Sequence, residues 1–236
     1  MYEIKKRIID TVWGKPLTIS YRENTNDLDV ARAIATFNEY HVDFFSYEDG
    51  DTFIDLGSHV GIWSILMALH NSTFKVISYE AIPENYEMIK RNIKNNNLNN
   101  VYPFNIAISD SKIYYPYNPQ DSFVSTHRWI GSPQGGTKYI TVPSISLNDV
   151  FNKHNISRCR VLKTDIEGSE VHAFLDLTKE NLAKIDYVIG EFHPWGIGMD
   201  TFFSYFKDFV DISRLIYPEN KRNFDLQNFL FKRRDA

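Results

Sequence analysis

The chain of 236 residues has one cysteine, Cys159. A lone thiol closes no intramolecular disulfide, and it excludes both a multi-cysteine zinc site and a two-cysteine redox motif. Long apolar runs are also missing. The longest, VGIWSILMAL at 60–69, is too short to span a bilayer. The opening MYEIKKRIID has no apolar core of a secretory signal, so the expected compartment is the cytoplasm. On that reading the sequons at Asn71 and Asn155 are accidental. A basic excess is lacking as well: the net charge is −4 and the pI near 6.0. Bulk nucleic-acid binding through phosphate neutralisation is therefore not expected. The short clusters at 5–7 and 231–235 read as solvated ends.

What is present is ordinary for a globular protein, 43% hydrophobic and 24% charged. No repeat appears, and NIKNNNLNN (92–100) is a brief Asn-rich helix end and turn. YEIKKRII and PLTISYRE alternate and predict a hairpin around Gly14-Lys15-Pro16. Residues 26–40 have helical spacing, with Val30, Ala33, Ile34 and Phe37 on one face. Strands and helices then alternate. TFIDL, FKVISYE, VYPFNIAIS, RVLKTDI and DYVIGEF read as strands, and the segments after the first two read as helices.

This alternation predicts a doubly wound, Rossmann-like α/β fold. The expectation is a mostly parallel seven-stranded sheet with helices on both faces. Residues 1–50 would form a hairpin-and-helix cap, and residues 51–236 one globular unit. Residues 110–146 interrupt the alternation with a Tyr-, Pro- and Ser-rich insertion, in which KIYYPY and KYITVP are candidate strands. Long insertions of this kind are more often lids or binding loops than slack.

In such folds ligands bind beyond the C-terminal ends of the strands. DTFIDLGSHVGIW (51–63) falls at that edge. Gly57 would admit a ligand to the backbone, and Gly61 would let the helix pack on the strand. The G-x-G-x-x-G spacing of a dinucleotide site is absent. Asp55 would repel a pyrophosphate but welcome an ammonium group. A ligand zwitterionic at one end and adenosine at the other, S-adenosylmethionine, suits this stretch better. Glu80 ends the second strand, 25 residues beyond Asp55, where a ribose-hydroxyl acceptor is expected.

Further polar groups fall at strand tips. LKTDIEGSE (162–170) puts Asp165 at one tip, with Glu167 and Glu170 in the following turn. Acids in that turn are favoured by a helix dipole in any case. GEFHPW (190–195) puts Glu191 and His193 two apart, on one side of the next strand.

Together FIDLGSHVGIWS, SYEAIPENYEMIKRNIKNN, NIAIS, SLNDVF, LKTDIEGSE and VIGEFH resemble the FkbM-type methyltransferases, a class I S-adenosylmethionine-dependent family. The resemblance covers roughly residues 50–195. It implies methylation of a hydroxyl on a sugar, glycan or small molecule. By motif, Asp55, Gly57, Ser58 and Gly61 would line the methionine end, and Glu80 would hold the ribose. Ala81 and Ile82 would flank the adenine, with Asn105, Ile106 and Ala107 at its edge. Ser58-His59 stands where the family usually has Ala-Asn.

A hydroxyl acceptor needs its proton removed, and His193 is the expected base because an imidazole titrates near working pH. Asp165 or Glu191 would serve if desolvation raised its pKa. Alternatively Asp165, Glu191 and His193 would hold Mg²⁺ or Mn²⁺ against the acceptor. Trp195 is read as acceptor wall or core, and His41, His70, His127, His154 and His172 carry no motif. An RNA ribose 2′-O-methyltransferase shares Lys163, Asp165 and Glu191, but a second catalytic Lys and a basic surface are missing. A non-catalytic module on the same fold is the remaining alternative.

Overall fold

A computed structural model of the chain describes residues 2–109, 113–116, 139–175, 177–193, 199–212 and 227–235. The expected hairpin forms from β1 (Ile4–Asp10) and β2 (Pro16–Arg22), paired antiparallel and followed by α1 (Asp27–Ala35). The alternating unit then runs β3 (Thr52–Leu56), α2 (Ile62–His70), β4 (Lys75–Tyr79), α3 (Pro83–Asn95) and β5 (Val101–Phe104). Short β6 (Ala107–Ile108), β7 (Ile113–Pro116), β8 (Tyr139–Val142) and β9 (Ser144–Ile145) precede α4 (Leu147–Lys153). The chain ends with β10 (Cys159–Thr164), α5 (Glu170–Leu175), α6 (Lys179–Leu182), β11 (Ile185–Phe192), α7 (Met199–Ser204), β12 (Phe209–Asp211) and β13 (Gln227–Arg233). No helix among the described residues is long and apolar enough to cross a membrane.

The central sheet has seven strands in the order β12-β13-β11-β10-β3-β4-β5. It is mixed. The five strands from β11 to β5 pair in parallel, whereas β13 is antiparallel to both β11 and β12. The parallel strands read as nearly continuous apolar runs because both faces are covered. Phe53, Val76, Val161 and Ile189 share one core with α2, and Ile54, Ile77, Leu162 and Val188 share another with α4, α5 and α7. The order reverses between β3 and β10, so their C-terminal ends open the cleft where α/β ligands bind.

Three expectations change. VYPFNIAIS is not one strand: β5 stops at Phe104, and β6 pairs with β9 instead of continuing beside β4. The first helix ends at Ala35 and leaves Phe37 76% exposed, so its buried face is Asp27, Ala31, Ile34 and Ala35. The Asn-rich run is more than a helix end. Asn92 Oδ1 accepts from the Ser20 amide at 2.7 Å, and Asn96 Oδ1 from the Thr18 amide at 2.9 Å. These amides tie the hairpin to α3 along an edge that would otherwise leave strand donors unpaired. In the insertion, β7 and β8 pair antiparallel as expected. Residues 117–138, with His127, lie outside the described residues, as does Trp195.

Candidate active site

A cavity of about 350 Å³ opens at the C-terminal ends of β3, β4, β10 and β11, within the size range of small-molecule sites. Its floor is the turn from β3 into α2. Gly57 has φ +74°, and a Cβ there would lie 1.8 Å from the carbonyl oxygen of Asp165. Contact with the end of β10, rather than admission of a ligand, is what requires glycine there. Gly61 starts α2 at φ +86°, and a Cβ would press on Ile89 of α3 at 3.0 Å. Its close approach is to a helix and not to the strand.

Several expected residues line the cavity together: Gly57, Ser58, Glu80, Ala81, Ile82, Ile106, Ala107, Asp165, Glu191 and His193. Asp55, Gly61 and Asn105 stand behind the wall. Asp55 is fully buried, accepts from Ser64 Oγ at 2.6 Å and lies 3.1 Å from Lys163 Nζ. Lys163 also donates to the Gly57 carbonyl at 3.0 Å, so strand β10 braces the turn from below. Burial opposes the Lys163 charge, but Asp55 and Asp165 outweigh it and raise its pKa. Asn105 Nδ2 donates to the carbonyls of Glu80 and Ala81 at 2.9 and 3.0 Å, holding the strand-to-helix turn in shape.

Glu80 occupies the tip of β4. Its Oε2 accepts from the His59 amide at 2.7 Å and its Oε1 from the Ile82 amide at 2.9 Å. Burial lifts its pKa to about 7 despite these bonds. Asn85 Nδ2 makes a second, longer contact to Oε1 at 3.4 Å, which leaves Oε2 with the open acceptor position.

The opposite end gathers carboxylates and one imidazole. Glu170 is fully buried and accepts from the amides of Ile166 and Gly168 at 3.0 Å each. It therefore builds the turn after β10, a larger part than the dipole reading gives it. Its Oε1 lies 3.0 Å from His193 Nδ1, while His193 Nε2 lies 3.4 Å from Glu167 and 3.8 Å from Glu191. Burial lowers the His193 pKa, but Glu170 and its acidic neighbours overcome this and set it at about 9. These acids favour the charged imidazolium at neutral pH, a form that donates rather than accepts a proton. Glu191 is pushed up to about 7 by burial, then by Asp165 and Glu39.

The metal donors that converge are also different from those expected. Ligand atoms of Asp165, Glu167 and His193 lie within 4.8 Å of one another. A divalent ion there would have to displace the His193 proton that the neighbouring acids favour.

The N-terminal segment supplies a wall that the sequence did not announce. Val30 and Ile34 of α1, with Glu39 and Tyr40 of the following loop, line the cavity. Tyr40 donates to Asp165 Oδ2 at 3.0 Å and is 2% exposed. Asn38 and His41, both at left-handed φ (59° and 43°), bracket the Glu39-Tyr40 pair. NEYH has no spacing that signals this.

Comparison with known proteins agrees with the geometry. The family model described as the methyltransferase FkbM domain matches residues 55–226. Methyltransferase 1 of Beauveria bassiana (strain ARSEF 2860) is 22% identical over 167 residues, covering 63% of this chain and 67% of that protein. Methyltransferase sdnD of Sordaria araneosa is 22% identical over 191 residues, covering 68% and 74%. Among solved structures, SMU.1697c of Streptococcus mutans, in complex with SAH, aligns with a TM-score of 0.50 at 11% identity, over 83% of this chain and 97% of that one. The FkbM methyltransferase of Methylobacillus flagellatus KT aligns at 0.49 and 12% identity, over 82% of this chain but only 46% of its own length, so this chain spans under half of that protein. With the family model spanning most of the chain and a cavity built at the matching motifs, the chain belongs to the FkbM methyltransferase family.

Proposed function

We propose that the chain is an S-adenosylmethionine-dependent O-methyltransferase whose acceptor is a hydroxyl of a sugar, glycan or small molecule. The observation that carries the reading is Glu80, a buried carboxylate facing the cavity with both oxygens held and Oε2 able to accept once more. A ribose diol presents two donors, one for the open position on Oε2 and one that would compete with the long Asn85 contact on Oε1. Ala81, Ile82, Ile106 and Ala107 supply an apolar slot beside it, suited to a purine. The acids at the far end suit the cationic methionine end. When bound, the cofactor supplies an electrophilic methyl group on a sulfonium.

The chain's own groups would do the rest. Glu191, with a pKa near 7, stands ready to take the acceptor's proton. Asp165, fixed on one oxygen by Tyr40, would orient the hydroxyl with its other oxygen. His193, charged and held by Glu170, limits how far the Glu191 pKa rises. In this reading positioning and a desolvated base supply the catalysis.

The test is methyl transfer from labelled S-adenosylmethionine to a panel of polyols and glycosides by wild type, Glu191→Gln and Glu80→Gln. The expected result is hydroxyl methylation that both substitutions reduce. Methylation confined to nitrogen or to RNA would contradict the reading.

A further inference from the structure

A closed ring of polar side chains joins the N-terminal segment to the cavity. Arg22 Nε donates to Asp27 Oδ2 at 2.8 Å, and Nη2 donates to Oδ1 at 2.7 Å. Arg22 Nη2 also donates to Asn85 Oδ1 at 2.8 Å, which turns the Asn85 Nδ2 toward Glu80 Oε1 at 3.4 Å. On the other side Asp27 Oδ1 lies 3.5 Å from His59 Nε2, and the His59 amide donates to Glu80 Oε2. Each oxygen of Glu80 is thus reached from one Arg22–Asp27 pair. Arg22, Asp27, Glu80 and Asn85 are all buried.

Docking of the hairpin does not account for this ring. The hairpin is already fixed by Asn92 and Asn96 and by the buried side chains of Leu17 and Ile19. A buried ion pair adds little stability over apolar residues of the same volume. The ring closes, moreover, on the cavity carboxylate proposed to receive the ribose. His59, which replaces the family's usual Asn, supplies its only imidazole. Burial holds that imidazole neutral, with a pKa of about 4. Arg22 and Asp27 precede the family-matched region, which starts at residue 55.

We propose that Arg22, Asp27 and Asn85 are positioning residues for Glu80, making the N-terminal segment a working part of the cofactor site that helps it select a ribose. This rests on the reading of Glu80 as ribose acceptor. A carboxylate fixed in advance loses less freedom when two hydroxyls dock on it, and that difference appears as affinity.

The experiment is calorimetric titration of the full chain with S-adenosylhomocysteine and with its 2′-deoxy analogue. Two variants break the ring without stranding a charge: Asn85→Leu, and Arg22→Met combined with Asp27→Leu. The expected result is cooperative melting, about tenfold weaker S-adenosylhomocysteine binding, and a preference over the deoxy analogue that falls toward one. If the double variant fails to fold, Asn85→Leu decides. Folded variants with unchanged affinity and unchanged ribose preference would overturn the positioning role alone. A folded wild type that binds neither ligand would overturn the cofactor reading, and this inference with it.

Discussion

The phenol of Tyr40 and the carboxylate of Asp165 meet at 3.0 Å although 125 residues separate them in the chain. Burial and the neighbouring acids raise the Tyr40 pKa well above its ordinary value, so the phenol remains a donor. This bond joins the N-terminal wall to the end of β10. Tyr40→Phe removes it and keeps the ring. The expected loss is about 1 kcal/mol of stability, the net worth of one such bond, read from urea denaturation. An unchanged denaturation midpoint would show that the bond contributes nothing.

Glu80 and Glu191 share a pKa of about 7, raised from near 4.5 chiefly by burial. Between those values the folded state holds protons that the unfolded state has released. These two groups therefore make stability fall as pH rises through that window. In the proposed roles, cofactor binding by Glu80 and proton removal by Glu191 both use the ionised forms, so they should strengthen over the upper part of the same range. Titrations with S-adenosylhomocysteine at pH 6 and pH 8 check this, with tighter binding expected at pH 8. His193 acts in the same direction over a higher window: its contribution is complete below pH 6.5 and is lost as pH rises through about 9.

Lys163 and Asp55 form a buried pair beneath the Gly57 turn. Lys163→Met leaves Asp55 charged and unpaired, which should cost about 3–5 kcal/mol. Adding Asp55→Asn removes the stranded charge and should recover most of that loss. Chemical denaturation of both variants measures the recovery. Equal stability of the two would mean that the pair is not coupled.

The end of the cavity proposed for adenosine was far more legible in the sequence than the end proposed for the acceptor. An apolar strand, a glycine turn and an acid at the next strand tip are local patterns, and they marked Gly57, Ser58, Glu80, Ala81 and Ile82, all of which line the cavity. Glycine identity was visible too, but its cause was not. The partner of Gly57 is the Asp165 carbonyl, which only the pairing of β3 with β10 brings near. The antiparallel β13 inserts between β11 and β12, a placement that no local period signals. His193 has the composition of a base, and against burial its pKa is raised first by Glu170, 23 residues away in the chain, and then by Glu167 and Asp165. Tyr40, Arg22 and Asp27 were invisible for the same reason: each acts across a long sequence separation.

The most direct measurement is calorimetric binding of S-adenosylhomocysteine to wild type and to Glu80→Gln, with folding of both verified by thermal melting. The account predicts one saturable site in the wild type. It predicts binding about 10–100-fold weaker in Glu80→Gln, the worth of hydrogen bonds to a charged acceptor. A folded wild type that binds no S-adenosylhomocysteine, or equal affinity in the two proteins, would contradict it.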